Sequence, residues 1–167
     1  MHKFLNTLIT VSLFLLFSEA AGIVGALFTY HAIPTWYAHL NKPSFSPPNF
    51  IFGPVWTALY CLMGLGAFFV FRKGWMLRST QHKRKEVKVG IGLYVLQLVL
   101  NVAWSIIFFG LHMPVLALIE IVVLWFAIAV TMRHFFKISE TGAFLLVPYL
   151  LWVTFAVLLN CAIVVLN

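Results

Sequence analysis

The sequence predicts an all-α fold, a polytopic membrane protein whose five transmembrane helices form one bundle and one domain over residues 1–167. Three observations carry this expectation. The 167 residues are 63% hydrophobic and only 9% charged, with a mean hydropathy of +1.02. A soluble domain carries about 25% charged residues, so this composition suits lipid as solvent. Apolar runs of about 20 residues, the length that crosses a bilayer, recur five times. The basic residues gather in alternate connections between those runs.

The first helix is expected over about 4–29. Its start, "MHK", and the later "SEA" could mark a secretory leader. Apolar character continues through "AAGIVGALF", which favours a spanning helix. The second helix is expected over about 50–71 and the third over 87–109. The fourth starts at Pro114, a favoured first-turn proline, and ends near 134. The fifth covers 139–166, and Pro148 should kink or loosen it one turn away. No internal repeat is visible, and an odd number of spans argues against a simple two-repeat transporter.

Net charge is +7, and the chain has no Asp. Five spans put the N-terminus and the connections at 72–88 and 134–140 on one side. Lys3, Arg72, Lys73, Arg78, Lys83, Arg84, Lys85, Lys88, Arg133 and Lys137 lie there, ten of the eleven Lys and Arg. Lys42 alone lies on the other side. The positive-inside bias predicts a cytoplasmic N-terminus and 72–88 loop, with the C-terminus outward. The basic loop reads as a topology anchor that also meets anionic headgroups. Trp75 beside it reads as an interfacial anchor. Charge so distributed points to membrane topology, and no nucleic-acid partner is expected.

Helix periodicity places side chains on shared faces. Gln97, Asn101 and Trp104 form one face of the third helix. Amides in lipid need partners. Interhelical hydrogen bonds and a polar spot in a ligand cavity both account for them. Tyr149, Trp152, Ala156 and Asn160 share a stripe of the fifth helix, and Trp56 and Tyr60 pair on the second. If these faces meet, they line an aromatic cavity suited to a large, flat, mostly apolar ligand. On the first helix, Ser18, Gly22 and Ala26, and likewise Ala21, Gly25 and Thr29, form small-residue rows. These fit close packing within the chain or a homodimer contact. Glu19 and Glu120 fall inside spans, where a carboxyl is a functional candidate, including for proton coupling. Being protonated or paired is the plainer reading.

No metal site is expected. The six His show no ligand spacing, although His31 and His39 lie near enough to the cavity mouth to be weighed for haem. Cys61 and Cys161 fall in apolar runs and read as small buried hydrophobes. No conventional catalytic constellation is present, which leaves enzymatic activity open. The connection 30–49 runs into the stretch "NKPSFSPPNFIFGPVW" (41–56), which holds Pro43, Pro47, Pro48 and Pro54 among Phe45, Phe50, Phe52 and Trp56. A proline-stiffened loop has less conformational freedom to lose on closing over a partner.

Three blocks, "WYAHLNKPSFSPPNFIFGPVWTALYCLMG" (36–64), "QLVLNVAWSIIFFG" (97–110) and "PYLLWVTFAVLLN" (148–160), resemble the TspO/MBR family, which comprises bacterial tryptophan-rich sensory proteins and the mitochondrial translocator protein or peripheral benzodiazepine receptor. The resemblance implies a five-helix bundle, commonly a homodimer, with a ligand pocket inside each subunit that the loop 30–49 caps. It implies porphyrin or other tetrapyrrole binding of a sensory or regulatory kind, with no cofactor required. Animal members also bind cholesterol and synthetic ligands. Trp36, Tyr37 and Pro43 match residues at the pocket mouth. Trp56 and Trp152 match tryptophans implicated in light-dependent porphyrin breakdown. Ala156 matches a small residue packed on the ligand. Gln97, Asn101 and Trp104 match the third-helix block and are expected to reach the cavity, as are Tyr60 and Tyr149 from their faces. Phe45 and Phe50 stand where many members have Trp, so stacking survives with less indole for redox chemistry. The sterol motif of the fifth helix is missing, because Cys161 follows Asn160 and no basic residue comes after it. That lowers the expectation of cholesterol binding. Transport of porphyrin or another apolar solute is the alternative function, and an interaction scaffold is a third.

Overall fold

Lipid offers the backbone no hydrogen-bond partner, so a spanning segment must satisfy itself as a helix. In the computed structural model, which describes residues 2–76 and 81–167, five helical stretches are long and apolar enough to cross a membrane. In chain order the elements are α1 (His2–Ala32), the short α2 (Trp36–His39), a 3₁₀ turn (Asn49–Ile51) leading into α3 (Phe52–Phe71), α4 (Gln81–Ser105), α5 (Pro114–Ile138), α6 (Glu140–Phe144) and α7 (Val147–Leu166). α3 and α4 each end in a π-helical turn, Arg72–Met76 and Ile106–Gly110. No strand occurs among the described residues. The side chains of Lys3, Trp75 and Lys83, and all of Arg78, lie outside the described set.

Two helices run past their expected ends. α1 continues to Ala32 because nothing interrupts it before Pro34. α5 continues to Ile138, where Ser139 turns extended and caps α6 by accepting from the Gly142 N–H at 3.3 Å. The expected fifth helix is divided. Pro148 has no N–H to return to the preceding turn, so α6 closes at Leu145 and Leu146, and α7 restarts with Pro148 in its first turn.

The exterior is apolar. Leu13, Leu16 and Leu27 on α1 are 61%, 66% and 68% exposed, the inverse of a water-soluble surface. Inside, Met63, Ala67, Val70, Ile128, Phe135 and Val153 are fully buried. Helices in lipid gain little by hiding apolar surface from one another, so close backbone approach matters more. Glycines supply it. A Cβ on Gly64 would lie 2.8 Å from the Phe14 carbonyl oxygen, and one on Gly66 would lie 2.8 Å from the Gly142 oxygen. These contacts lock α3 against α1 and α6. Both small-residue rows of α1 are used within the chain: Ser18 hydrogen-bonds Tyr94, Gly22 lies on the Tyr60 ring and Gly25 faces Ser105.

The described basic residues Arg72, Lys73, Arg84, Lys85, Lys88, Arg133 and Lys137 lie at the end of the bundle opposite α2. Lys42 lies at the α2 end.

Gly64→Val should therefore destabilise the bundle by about 1–3 kcal/mol, the usual cost of overpacking. Gly92→Ala, with no heavy atom within 4 Å of the added Cβ, should be neutral or stabilising by up to about 1 kcal/mol through helix propensity. Unfolding midpoints in detergent, followed by helical circular dichroism, check both.

Candidate functional site

The glycine contacts hold α1 and α3 together over the half of the bundle away from α2. Toward α2 the helices part around a cavity of about 340 Å³. Its walls follow helical spacing. α3 contributes Phe52, Trp56 and Tyr60 at four-residue intervals. α4 contributes Asn101, Trp104 and Ser105, and its π turn adds Phe108. α7 contributes Trp152, Ala156 and Asn160. α1 supplies Gly22, Ala26 and Thr29, with Glu19 deepest, and Tyr37 of α2 closes the near end.

Several polar groups among these aromatics satisfy one another, while the buried Tyr37 hydroxyl has no partner. The Tyr60 hydroxyl donates to Asn101 Oδ1, and Asn101 Nδ2 donates to the Tyr149 hydroxyl at 3.1 Å. This chain crosses from α3 through α4 to α7 and forms the floor. Nearer the mouth, Trp104 Nε1 donates to Asn160 Oδ1 at 3.3 Å, while Asn160 Nδ2 donates to the Pro114 carbonyl at 2.9 Å. The rings are held by other rings. Trp56 lies 5.7 Å from Tyr60 and 6.3 Å from Tyr149 between centroids. Trp104 stacks on Phe108 at 5.1 Å, and Trp152 meets Phe155 at 5.5 Å.

Not every expected residue reaches the cavity. Tyr37, Trp56, Tyr60, Asn101, Trp104, Trp152 and Ala156 line it; Trp36, Pro43, Phe45, Phe50, Gln97 and Tyr149 do not. Gln97 lies one turn, about 6 Å along the axis, beyond Asn101 and beneath the floor. It is fully buried and neither side-chain atom has a hydrogen-bond partner. Tyr149 supports the floor from behind. Glu120 is also outside the lining, its carboxyl buried without a hydrogen-bond partner. The structure adds Phe52 and Phe108 to the expected lining. Phe108 continues the Asn101–Trp104 face by one more turn, and Asn160 ends the α7 stripe. Phe52 sits one turn before Trp56, inside the proline-rich stretch.

The connection between α1 and α3 is tied down at several points. Trp36 stacks on His112 with centroids 4.4 Å apart and rings 13° from parallel. His112 has a φ of 56°, a left-handed conformation that histidine tolerates better than most residues, and it turns the chain from the π turn into α5. Lys42 Nζ donates to the Tyr37 carbonyl at 2.9 Å and lies 4.8 Å from the Tyr37 ring centroid. Asn41 and Asn167 pair reciprocally: Asn41 N–H donates to Asn167 Oδ1, and Asn167 Nδ2 donates to the Asn41 carbonyl, each at 3.0 Å. Phe45 meets the edge of Phe155 at 6.2 Å. Phe50, 77% exposed, touches none of this.

Near α2 the cavity reaches the lipid-facing surface between α1 and α3, since the exposed residues Ile23, Tyr30, Gly53 and Thr57 all border it. No cluster of His, Cys, Asp or Glu suited to a metal ion occurs among the described residues. His39 is turned away, its Nδ1 2.6 Å from the Thr35 carbonyl oxygen, and His31 packs edge-on against Tyr30.

Comparison with known proteins agrees with this architecture. The TspO/MBR family model matches residues 14–166. The chain is 41% identical over 160 residues to the "Tryptophan-rich protein TspO" of Chlorobaculum tepidum, a stretch covering 96% of this chain and 97% of that protein. It is 39% identical over 137 residues to the human "Translocator protein", covering 82% and 78%. It is 35% identical over 156 residues to the "Tryptophan-rich sensory protein" of Cereibacter sphaeroides, covering 93% and 92%. With a match of this extent and five helices fit to span a bilayer, the chain belongs to the TspO/MBR family and is a multi-pass membrane protein.

Proposed function

We propose that the cavity binds a porphyrin-type tetrapyrrole and that the protein acts as a membrane receptor for it, of sensory or regulatory kind. The observation that carries this reading is the meeting of three indoles, Trp56, Trp104 and Trp152, on the walls of one cavity, where Tyr60, Asn101 and Asn160 are already paired. Such walls give π contact to a flat apolar ring and ask for few polar groups in return. An illuminated macrocycle held against Trp56 and Trp152 is close enough to exchange electrons with them, with oxygen as co-reactant, which accounts for light-dependent breakdown without a metal or an acid–base pair. The loop end faces outward on the positive-inside argument, because the basic residues lie at the other end.

Binding is favoured over transport. Beyond Tyr60 the bundle is filled by Met63, Ala67 and Val70, and Gly64 and Gly66 hold the backbones together. A solute crossing the protein would have to open that half, whereas a receptor leaves it closed. Pairing of two copies, as the family resemblance implies, would use the lipid-facing exterior, since Ser18, Gly22 and Gly25 of α1 are engaged within the chain.

Protoporphyrin IX should quench tryptophan emission of the purified protein at low micromolar concentration, and unchanged emission would remove the binding claim. The double variant Trp56→Phe/Trp152→Phe should bind porphyrin yet lose most illumination-dependent bleaching of its spectrum; bleaching at the wild-type rate would sink the electron-transfer role. Asn167→Ala removes its side-chain pairing with the Asn41 backbone and loosens the cap. At about 1 kcal/mol for partly exposed hydrogen bonds, porphyrin dissociation in stopped flow should quicken by roughly fivefold, with no matching change if the cap does not govern release.

A further inference from the structure

The cavity wall has one ionisable carboxyl. Glu19 lies on α1 at the end of the lining farthest from α2, one turn before Gly22, where α1 closes on the Tyr60 ring. Its Oε1 accepts from the Cys61 thiol at 3.2 Å. No other hydrogen bond to this carboxyl is formed among the described residues. The nearby donors are engaged elsewhere: Tyr60 donates to Asn101, Asn101 to Tyr149, and Trp104 to Asn160. Among the described residues only the Cys61 thiol answers the acceptor capacity of this carboxyl.

That imbalance has a chemical consequence. Covering a carboxyl with an apolar ring, without giving it a donor, carries a desolvation cost. A ligand that brings a donor or a positive charge avoids that cost and gains a charge-assisted hydrogen bond. A second carboxylate brought there would be repelled. The near end has the opposite character. Tyr37 lines the cavity, and the Lys42 ammonium lies over its ring. Two of the three ammonium donors go to the Tyr37 and Ala38 carbonyls, at 2.9 and 3.4 Å. The α1 lining from Glu19 to Ile33 spans about 21 Å along the helix axis, at about 1.5 Å per residue.

We propose that Glu19 is a donor-selective anchor at the deep end of the cavity: it takes the N–H-bearing or cationic part of a flat ligand and leaves the rest of the ligand toward the mouth. This rests on the reading of the cavity as a ligand site. It adds an orientation and a preference that aromatic walls alone would not supply, since ring faces accept either end of a flat molecule.

A matched pair of probes tests it. 1-Pyrenemethylamine and 1-methylpyrene share one flat ring and differ in the cationic amine. Both are titrated by energy transfer from tryptophan, using the full chain in neutral detergent. Protoporphyrin IX is titrated in a separate arm. The wild type should bind the amine about tenfold more tightly than methylpyrene, the scale of one charge-assisted hydrogen bond. Glu19→Gln, nearly isosteric, should bring the two within about twofold. Glu19→Asp, which keeps the acid but shortens its reach, should retain part of the preference. If Glu19→Gln loses methylpyrene binding as well, Glu19→Asp decides: a retained preference supports the anchor, and a lost one overturns it. An amine preference equal in wild type and Glu19→Gln, or none in the wild type, also overturns it. The two readings fail separately. Loss of the amine preference leaves porphyrin binding standing, whereas a wild type that discriminates the pyrenes but ignores protoporphyrin IX keeps the anchor and removes the porphyrin.

Discussion

The hydrogen-bond chain from Tyr60 through Asn101 to Tyr149 is the interaction on which the site depends. An amide and two phenols inside a membrane bundle would each be costly unpaired. Joined, they fix three helices at one level and set the depth of the cavity. Below that level the glycines of α3 let backbones close, and the core fills. Above it the helices carry rings whose edges and faces are held by other rings, so the space between them stays open. The same chain consumes the hydroxyl and amide groups that would otherwise compete for a ligand. The cavity is left mainly aromatic, with Glu19 and the unpaired Tyr37 hydroxyl as polar exceptions.

The cap follows from that arrangement. An open aromatic cavity would admit lipid tails freely. The segment after α1 crosses its near end with little freedom, because prolines restrict it and because its contacts are spread widely. Trp36 leans on His112 at the start of α5, Phe45 on Phe155 of α7, and Asn41 on Asn167. Cap and cavity meet at two lining residues: Phe155, which Phe45 touches, and Tyr37, which Lys42 holds from outside.

The spans were the most legible part of the sequence, since apolar length is a one-dimensional signal and lipid enforces it. The division of α6 from α7 was half legible: Pro148 announced a disturbance but not a complete restart. The facing of side chains was legible where spacing continued across a wall, as for Trp56 with Tyr60, and Trp152 with Ala156. It misled at Gln97, which shares a face with Asn101 yet lies beneath the floor. Spacing tells which side of a helix a residue occupies and not how deep the cavity runs. The loop misled for the same reason. Pro43, Phe45 and Phe50 belong to the cap in sequence, but only three-dimensional contacts distinguish the ceiling residue Tyr37 from its supports. Phe108 lay beyond the block of residues being weighed, although one more turn of the same face would have reached it.

The central claim is that a flat ligand lies among Trp56, Trp104 and Trp152 rather than on the lipid-facing surface. Fluorine NMR of the protein labelled with 5-fluorotryptophan tests it directly, since a porphyrin ring current shifts nearby resonances. On addition of protoporphyrin IX, the resonances of those three residues should shift. Trp125, which donates to Thr154 at 2.8 Å on the exterior, should not. A shift of Trp125 with the three cavity resonances unmoved would contradict the account.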